Sequence, residues 1–205
     1  MQTLEDAEYA IDAGADFIGF VFAPSKRQVT FEQAADIIKN INTEHTKTVG
    51  VFVNPTAEEA ERALEETGLD YIQFHGDEPK TLVEQFKSRS IKAFPSNAEL
   101  SNREKFNYPG DFILIDSPRK EYYGGSGTAF DWEAFDQDGL DKSRFALAGG
   151  LKPDNIKEAI TTFKPALVDV SSGVETDGRK DYEKVSEFIK NAVSYTHLTL
   201  PTTPY

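Results

Sequence analysis

The chain has 205 residues, 39% of them hydrophobic, and a formal net charge of −13 at pH 7. The length suits one domain. The acidic balance disfavours nucleic acid and anionic membrane surfaces as partners and reads as a source of solubility. No run approaches the ~20 apolar residues that cross a bilayer, and no basic segment precedes an apolar one at the N-terminus, so no membrane contact and a cytoplasmic location are expected.

The chain opens on a helix. Thr3 followed by Asp6 resembles a capping box, Leu4, Ala7 and Ile11 recur at helical spacing, and Gly14 ends the helix. The first strand, Phe17-Ile18-Gly19-Phe20-Val21-Phe22, is apolar on both faces, as a buried parallel strand should be. A helix over 31–40, the strand Thr48-Val49-Gly50-Val51-Phe52-Val53 and a helix over 56–67 follow. Next come Tyr71-Ile72-Gln73-Phe74 with a helix over 78–88, then Ile91-Lys92-Ala93-Phe94 with a weaker helix over 98–106. Phe112-Ile113-Leu114-Ile115 leads into a long loop over 116–131 and a short helix after Trp132. Phe145-Ala146-Leu147-Ala148 precedes a helix with Pro153 in its first turn. The last strand is Ala166-Leu167-Val168-Asp169-Val170, and its helix carries Tyr182, Val185, Phe188, Ile189 and Ala192 on one face. Residues 193–205 break the pattern and read as a disordered or non-native tail.

This alternation is the βα signature of a parallel sheet, and the fold it predicts is a (βα)₈ TIM barrel over residues 1–192. Seven strands and eight helices are visible, starting on a helix, so a closed barrel would need one more strand at the front. In such barrels the site lies at the C-terminal ends of the strands, and loops after the last two strands are frequent phosphate sites. Gly149-Gly150 and Ser171-Ser172-Gly173 occupy those loops. Either pair alone could simply make a tight turn, but two adjacent pairs favour anion binding by backbone N–H groups.

Other residues at strand ends have two readings each. Asp116 could act as a general acid or merely start a turn. Asp169, inside an apolar strand, could face the barrel mouth or form a structural salt bridge. Arg27, in Ser25-Lys26-Arg27, suits bidentate recognition of a carboxylate but could be a solvated basic turn. His75 is by itself more often structural than catalytic. The loop with Gly124, Gly125, Ser126 and Gly127 is long enough for a lid. The chain has no cysteine, which excludes disulfides, thiolate zinc sites and a cysteine base among these residues. His45, His75 and His197 lack metal-site spacing, so no metal is expected.

Several runs occur together: Gly19-Phe20-Val21-Phe22 with Ser25-Lys26-Arg27; Gly50-Val51-Phe52-Val53-Asn54; Gln73-Phe74-His75-Gly76-Asp77-Glu78; Ile115-Asp116 with Gly124-Gly125-Ser126-Gly127 and Phe130-Asp131-Trp132; Ala148-Gly149-Gly150-Leu151-Lys152-Pro153; and Asp169-Val170-Ser171-Ser172-Gly173-Val174-Glu175. In that order they resemble the phosphoribosylanthranilate isomerase family of tryptophan biosynthesis, over about residues 3 to 192. The resemblance implies an Amadori rearrangement of N-(5-phosphoribosyl)anthranilate to 1-(2-carboxyphenylamino)-1-deoxyribulose 5-phosphate, without cofactor or metal, by a monomer. It casts Asp116 as the acid that protonates the ring oxygen, Arg27 as the clamp on the anthranilate carboxylate and Asp169 as the group near its amine. His75 joins the substrate-binding residues, and the amides of Gly149, Gly150, Ser171, Ser172 and Gly173 form the phosphate cradle.

The chain departs from the family in one respect. The family begins with a strand ending in Lys-(Ile/Phe)-Cys-Gly-Ile whose cysteine is the base, whereas this chain enters at the first helix. General-base catalysis is typically worth ~10²–10⁴-fold, so low activity is expected of these residues alone. Two alternatives remain, a non-catalytic phosphate-binding barrel and another phosphosugar barrel enzyme such as indole-glycerol-phosphate synthase.

Overall fold

A computed structural model describes residues 1–116 and 134–196. The elements are, in order, α1 (Leu4–Asp12), β1 (Phe17–Val21), α2 (Phe31–Asn40), β2 (Lys47–Phe52), α3 (Ala57–Thr67), β3 (Tyr71–Phe74), α4 (Lys80–Gln85), β4 (Ser90–Pro95), α5 (Asn102–Phe106) and β5 (Phe112–Asp116). After the gap in description come β6 (Phe145–Leu147), α6 (Ile156–Phe163), β7 (Leu167–Val168), a small hairpin of β8 (Glu175–Thr176) and β9 (Arg179–Lys180), and α7 (Tyr182–Thr196). Strands β1 to β7 form one parallel sheet in sequence order. This is the wall of a (βα)₈ barrel with one strand position unfilled.

The period-2 alternation of each strand sorts its side chains onto two surfaces. The inward set includes Val49, Ile91, Ala93, Leu114, Ala146 and Ala148, which touch one another across the sheet, so the sheet curls around them. Phe17 closes the bottom edge-on against both Tyr71 and Phe112. The outward set, with Phe20, Ile72, Phe74, Ile113, Phe145 and Leu147, packs against Ala7, Ala34, Ala60, Val83, Ile156 and Phe188 of the helices. Strands buried on both faces must be apolar throughout, which is why the runs were so legible.

Local chemistry starts the helices. Thr30, Thr56 and Ser101 each accept from the backbone N–H three residues on, and Gln33, Glu59 and Glu104 return the bond. Thr3 accepts from Asp6 N–H, so α1 begins as expected. Helix α3 stops at Gly68, whose φ of 77° suits a residue without Cβ.

Several boundaries differ from the sequence reading. Helix α5 starts only at Asn102, behind its Ser101 cap. The stretch predicted as one helix over 78–88 is α4 plus a 3₁₀ turn, Lys87–Arg89. Pro153 lies in the turn ahead of α6, whose N-cap is Asn155. The final strand is only Leu167–Val168. Helix α7 runs on to Thr196, four residues into the stretch read as tail. The Gly124–Gly127 lid, Trp132 with its short helix, and His197 lie outside the described residues.

Strand β7 does not pair with β1. Between them opens a cavity of about 330 Å³, lined by Phe17, Gly19, Leu167 and Asp169 of the wall and by Ala10 and Phe188 of α1 and α7. Met1 sits there, and its amine donates to the Gly19 carbonyl. This gap is the place of the strand that the sequence count found missing.

Candidate active site

The C-terminal rim of the sheet gathers the polar residues. Asp116 is the last residue of β5, and His75 directly follows β3. Their side chains meet, with His75 Nε2 3.3 Å from Asp116 Oδ2. The backbone N–H of His75 donates to Phe52 O at 2.8 Å, extending the ladder and fixing the residue at the rim. Gln73, two residues earlier and so on the same face, lies with its Nε2 3.0 Å from His75 Nδ1.

Asp169 follows β7 and donates its N–H to Leu147 O at 2.9 Å. Its carboxylate lines the cavity. Although open to the cavity, it is held above the usual carboxylate range, first by lost hydration and then by the charge of Asp116, while His75 and Lys180 pull it down. Asp116 and His75 thus both act electrostatically on Asp169, the first raising and the second lowering its carboxyl.

The glycine loops stand beside these residues. Gly149 and Gly150 adopt φ of 89° and 68°, conformations that glycine reaches without strain. Asn155 ties the loop, donating to Gly150 O and accepting from Lys152 N–H, both at 2.9 Å. A Cβ on Gly173 would lie 1.8 Å from Leu151 O. That approach seats the Ser171–Gly173 turn directly on the Gly149–Leu151 loop, so the two loops expected to cradle an anion are neighbours.

Arg27 is engaged differently from the expectation. Its Nε and Nη2 each donate to Glu175 at 2.7 Å, a bidentate pair. Lys180, delivered by the β8–β9 hairpin, donates to Glu175 Oε1 and to Ser171 O, both at 3.0 Å. Burial would raise the Glu175 carboxyl, but the bonds from Arg27 and Lys180 overcome it and bring it down to about 2. One carboxylate therefore faces two close cations.

The structure brings Asp116, His75 and Asp169 together, as well as the two glycine loops, and joins Arg27 to them through Glu175 and Lys180. Sequence reasoning missed the last two as site residues and missed Gln73. Glu175 stood in a recognised run, but its partner Arg27 is 148 positions away, so no local signal could pair them. Among the described residues no cluster of His, Cys, Asp and Glu could hold a metal ion, and no helix is long and apolar enough to cross a membrane.

Comparison with known proteins agrees with this geometry. The family model described as N-(5'phosphoribosyl)anthranilate (PRA) isomerase matches residues 1–191. The N-(5'-phosphoribosyl)anthranilate isomerase of Listeria monocytogenes serotype 4b (strain F2365) is 49% identical over 187 residues, covering 91% of this chain and 92% of the relative. That of Streptococcus pneumoniae (strain ATCC BAA-255 / R6) is 47% identical over 199 residues, 96% of each. Among solved structures, the phosphoribosyl anthranilate isomerase of Thermotoga maritima superposes with a TM-score of 0.82 at 38% identity, covering 95% of this chain and 96% of that one. A phosphoribosyl anthranilate isomerase in complex with reduced 1-(o-carboxyphenylamino)-1-deoxyribulose 5-phosphate superposes with a TM-score of 0.77 at 35% identity, covering 95% of each chain. The 3-hexulose-6-phosphate synthase of Salmonella typhimurium, at 15% identity and a TM-score of 0.70, shares the fold alone. With a family match spanning nearly the whole chain and relatives 47–49% identical over more than nine-tenths of it, the chain belongs to the N-(5'-phosphoribosyl)anthranilate isomerase family.

Proposed function

We propose that this protein binds N-(5'-phosphoribosyl)anthranilate across the open rim, and that Asp116 is the acid of its Amadori rearrangement in tryptophan biosynthesis. The observation that carries this reading is the convergence of Asp116, His75 and Asp169 beside two adjoining glycine loops. The phosphate lies on the amides of Gly149, Gly150, Ser171, Ser172 and Gly173, where backbone donors and close approach suit a dianion. Arg27 keeps donors beyond those taken by Glu175, and these meet the anthranilate carboxylate. Asp169 sits near the substrate amine. Protonated Asp116 gives its proton to the furanose ring oxygen as the C1'–O bond breaks, and the anthranilate nitrogen lone pair becomes the C1'=N bond. Loss of the C2' proton to a base then gives the enol, which tautomerises to the ketose.

The cysteine that the resemblance casts as that base is not among the 205 residues. That observation favours a second reading, ligand binding without fast turnover. We place the protein in the cytoplasm and expect a monomer, although one neighbouring structure describes monomers generated from a dimeric isomerase of Thermotoga maritima. The decisive experiment follows the loss of anthranilate-type fluorescence in three proteins: this chain, the chain extended by a strand ending in Lys-Ile-Cys-Gly, and that extended chain with Asp116→Asn. The expected order is low, high and low, with each drop about 10²–10⁴-fold. Full turnover by the Asp116→Asn protein would remove Asp116 from the reaction.

A further inference from the structure

Both ring nitrogens of His75 are occupied from opposite sides. Gln73 Nε2 lies 3.0 Å from Nδ1, and Asp116 Oδ2 lies 3.3 Å from Nε2. A neutral imidazole has one donor nitrogen and one acceptor nitrogen, whereas the amide nitrogen of glutamine can only donate. With that nitrogen facing Nδ1, Nδ1 must be the acceptor, and the ring proton is on Nε2. The proton then points at Asp116 Oδ2, which accepts it whether or not the other carboxyl oxygen carries a proton. With the amide nitrogen of Gln73 toward the ring, the three side chains form a proton arrangement running from the amide through the imidazole to the carboxylate.

The backbone makes that arrangement rigid. Gln73 is on β3, paired in register with Val51 of β2 and Ile91 of β4, and is 6% exposed. Just past His75, Gly76 N–H donates to both carboxylate oxygens of Glu78, at 2.9 and 3.0 Å. Glu78 is also bonded to Asn54 N–H at 2.8 Å and to Lys92 Nζ at 3.0 Å. A Cβ on Gly76 would lie 2.5 Å from Asn54 Oδ1, so this corner has little room to shift. A buried, neutral amide at this position has no helix or sheet duty for its side chain, and among the described residues its hydrogen bond goes to the imidazole.

We propose that Gln73 is a positioning residue: it holds neutral His75 as the Nε2–H tautomer, and His75 in turn orients the Asp116 carboxylate by donating to Oδ2. The chemical importance of that orientation rests on the role given to Asp116 above, but the tautomer does not. In the Gln73→Leu protein the ring loses its tautomer lock with little change in side-chain volume. In Gln73→Glu carboxylates face both ring nitrogens, so Nδ1 gains a proton while Nε2 keeps its own, and the ring is held as the imidazolium.

The test is a long-range ¹H–¹⁵N correlation spectrum of the uniformly ¹⁵N-labelled 205-residue protein at mildly alkaline pH, where imidazoles are neutral. The His75 signals are identified by their absence from a His75→Asn protein. The expected wild-type pattern is an unprotonated Nδ1 and a protonated Nε2, well separated. In Gln73→Leu the two shifts move toward each other as the tautomers mix, in Gln73→Glu both nitrogens report as protonated, and in Asp116→Asn the wild-type pattern persists. A mixed or Nδ1–H pattern in the wild type overturns the proposal, as does an unchanged pattern in Gln73→Leu. Persistence in Gln73→Leu with loss in Asp116→Asn assigns the lock to Asp116 and overturns it as well. If Gln73→Glu fails to fold, Gln73→Leu alone decides. Failure of Asp116→Asn to impair the strand-extended enzyme defeats the functional reading without touching the tautomer result.

Discussion

At the scale of single residues, the rim depends on charges that the fold has taken out of water. Lys92 and Glu78 are both 1% exposed on their side chains and 3.0 Å apart, and Lys92 also donates to Gly76 O at 2.7 Å and Ala93 O at 2.8 Å. Removing one partner of a buried pair leaves an uncompensated charge, at a cost of about 3–5 kcal/mol. Lys92→Met should lose that much stability in urea unfolding, and a loss below about 1 kcal/mol would show that water replaces the ammonium. Glu175 gives a pH signature. Its carboxyl is brought from 4.5 to about 2 in the folded protein. The folded pKa lies below the unfolded one, so the unfolded state binds more protons between the two values. The stabilisation is complete above the unfolded value and is lost as pH falls toward 2. Wild type should therefore lose on the order of 3 kcal/mol more than Glu175→Gln as pH drops from about 5 to about 2, because the amide cannot titrate. Parallel acid limbs in the two proteins would remove the Arg27–Glu175 pair as a source of acid sensitivity.

At the scale of elements, the helix starts were readable and the loops were not. Capping needs only residues three apart, so Thr3 with Asp6 marked the start of α1 in the sequence, whereas the helix read over 98–106 overran the Ser101 cap that starts α5. Thr56→Ala should lower stability by about 1 kcal/mol, as measured by thermal melting. The seating of one glycine loop on another has no such local signal. Gly173 is indispensable because Leu151 O occupies the space of its Cβ, and those residues meet only when β6 and β7 lie side by side. Gly173→Ala should keep the helical circular dichroism while weakening inorganic phosphate binding about tenfold, or 1.4 kcal/mol, in isothermal titration. Unchanged affinity would place the anion elsewhere.

For the whole molecule, the dominant feature is the gap between β1 and β7. Each strand presents backbone N–H and C=O groups to a cavity of about 330 Å³, and such edges invite pairing with other chains. A strand added ahead of Met1 should fill the gap, raise the melting temperature by at least about 5 °C and reduce association seen by light scattering. No rise in melting temperature would mean that the gap closes in some other way. The strand count read from the sequence anticipated this gap, because a barrel of regularly spaced βα units makes a missing member visible.

The sequence by itself determined the architecture and the family. Apolar runs with no alternation mark strands buried on both faces, capping residues mark helix starts, and the glycine pairs mark the rim. These signals are local, arising from backbone geometry and from hydration of a few neighbouring residues. Only the tertiary structure decided the partners. A strand's period of two says which side a residue faces but not what stands across from it. So Asp116 meeting His75 from 41 positions away, Arg27 gripping Glu175 and Gln73 turning its amide to the imidazole all followed from the curl and register of the sheet.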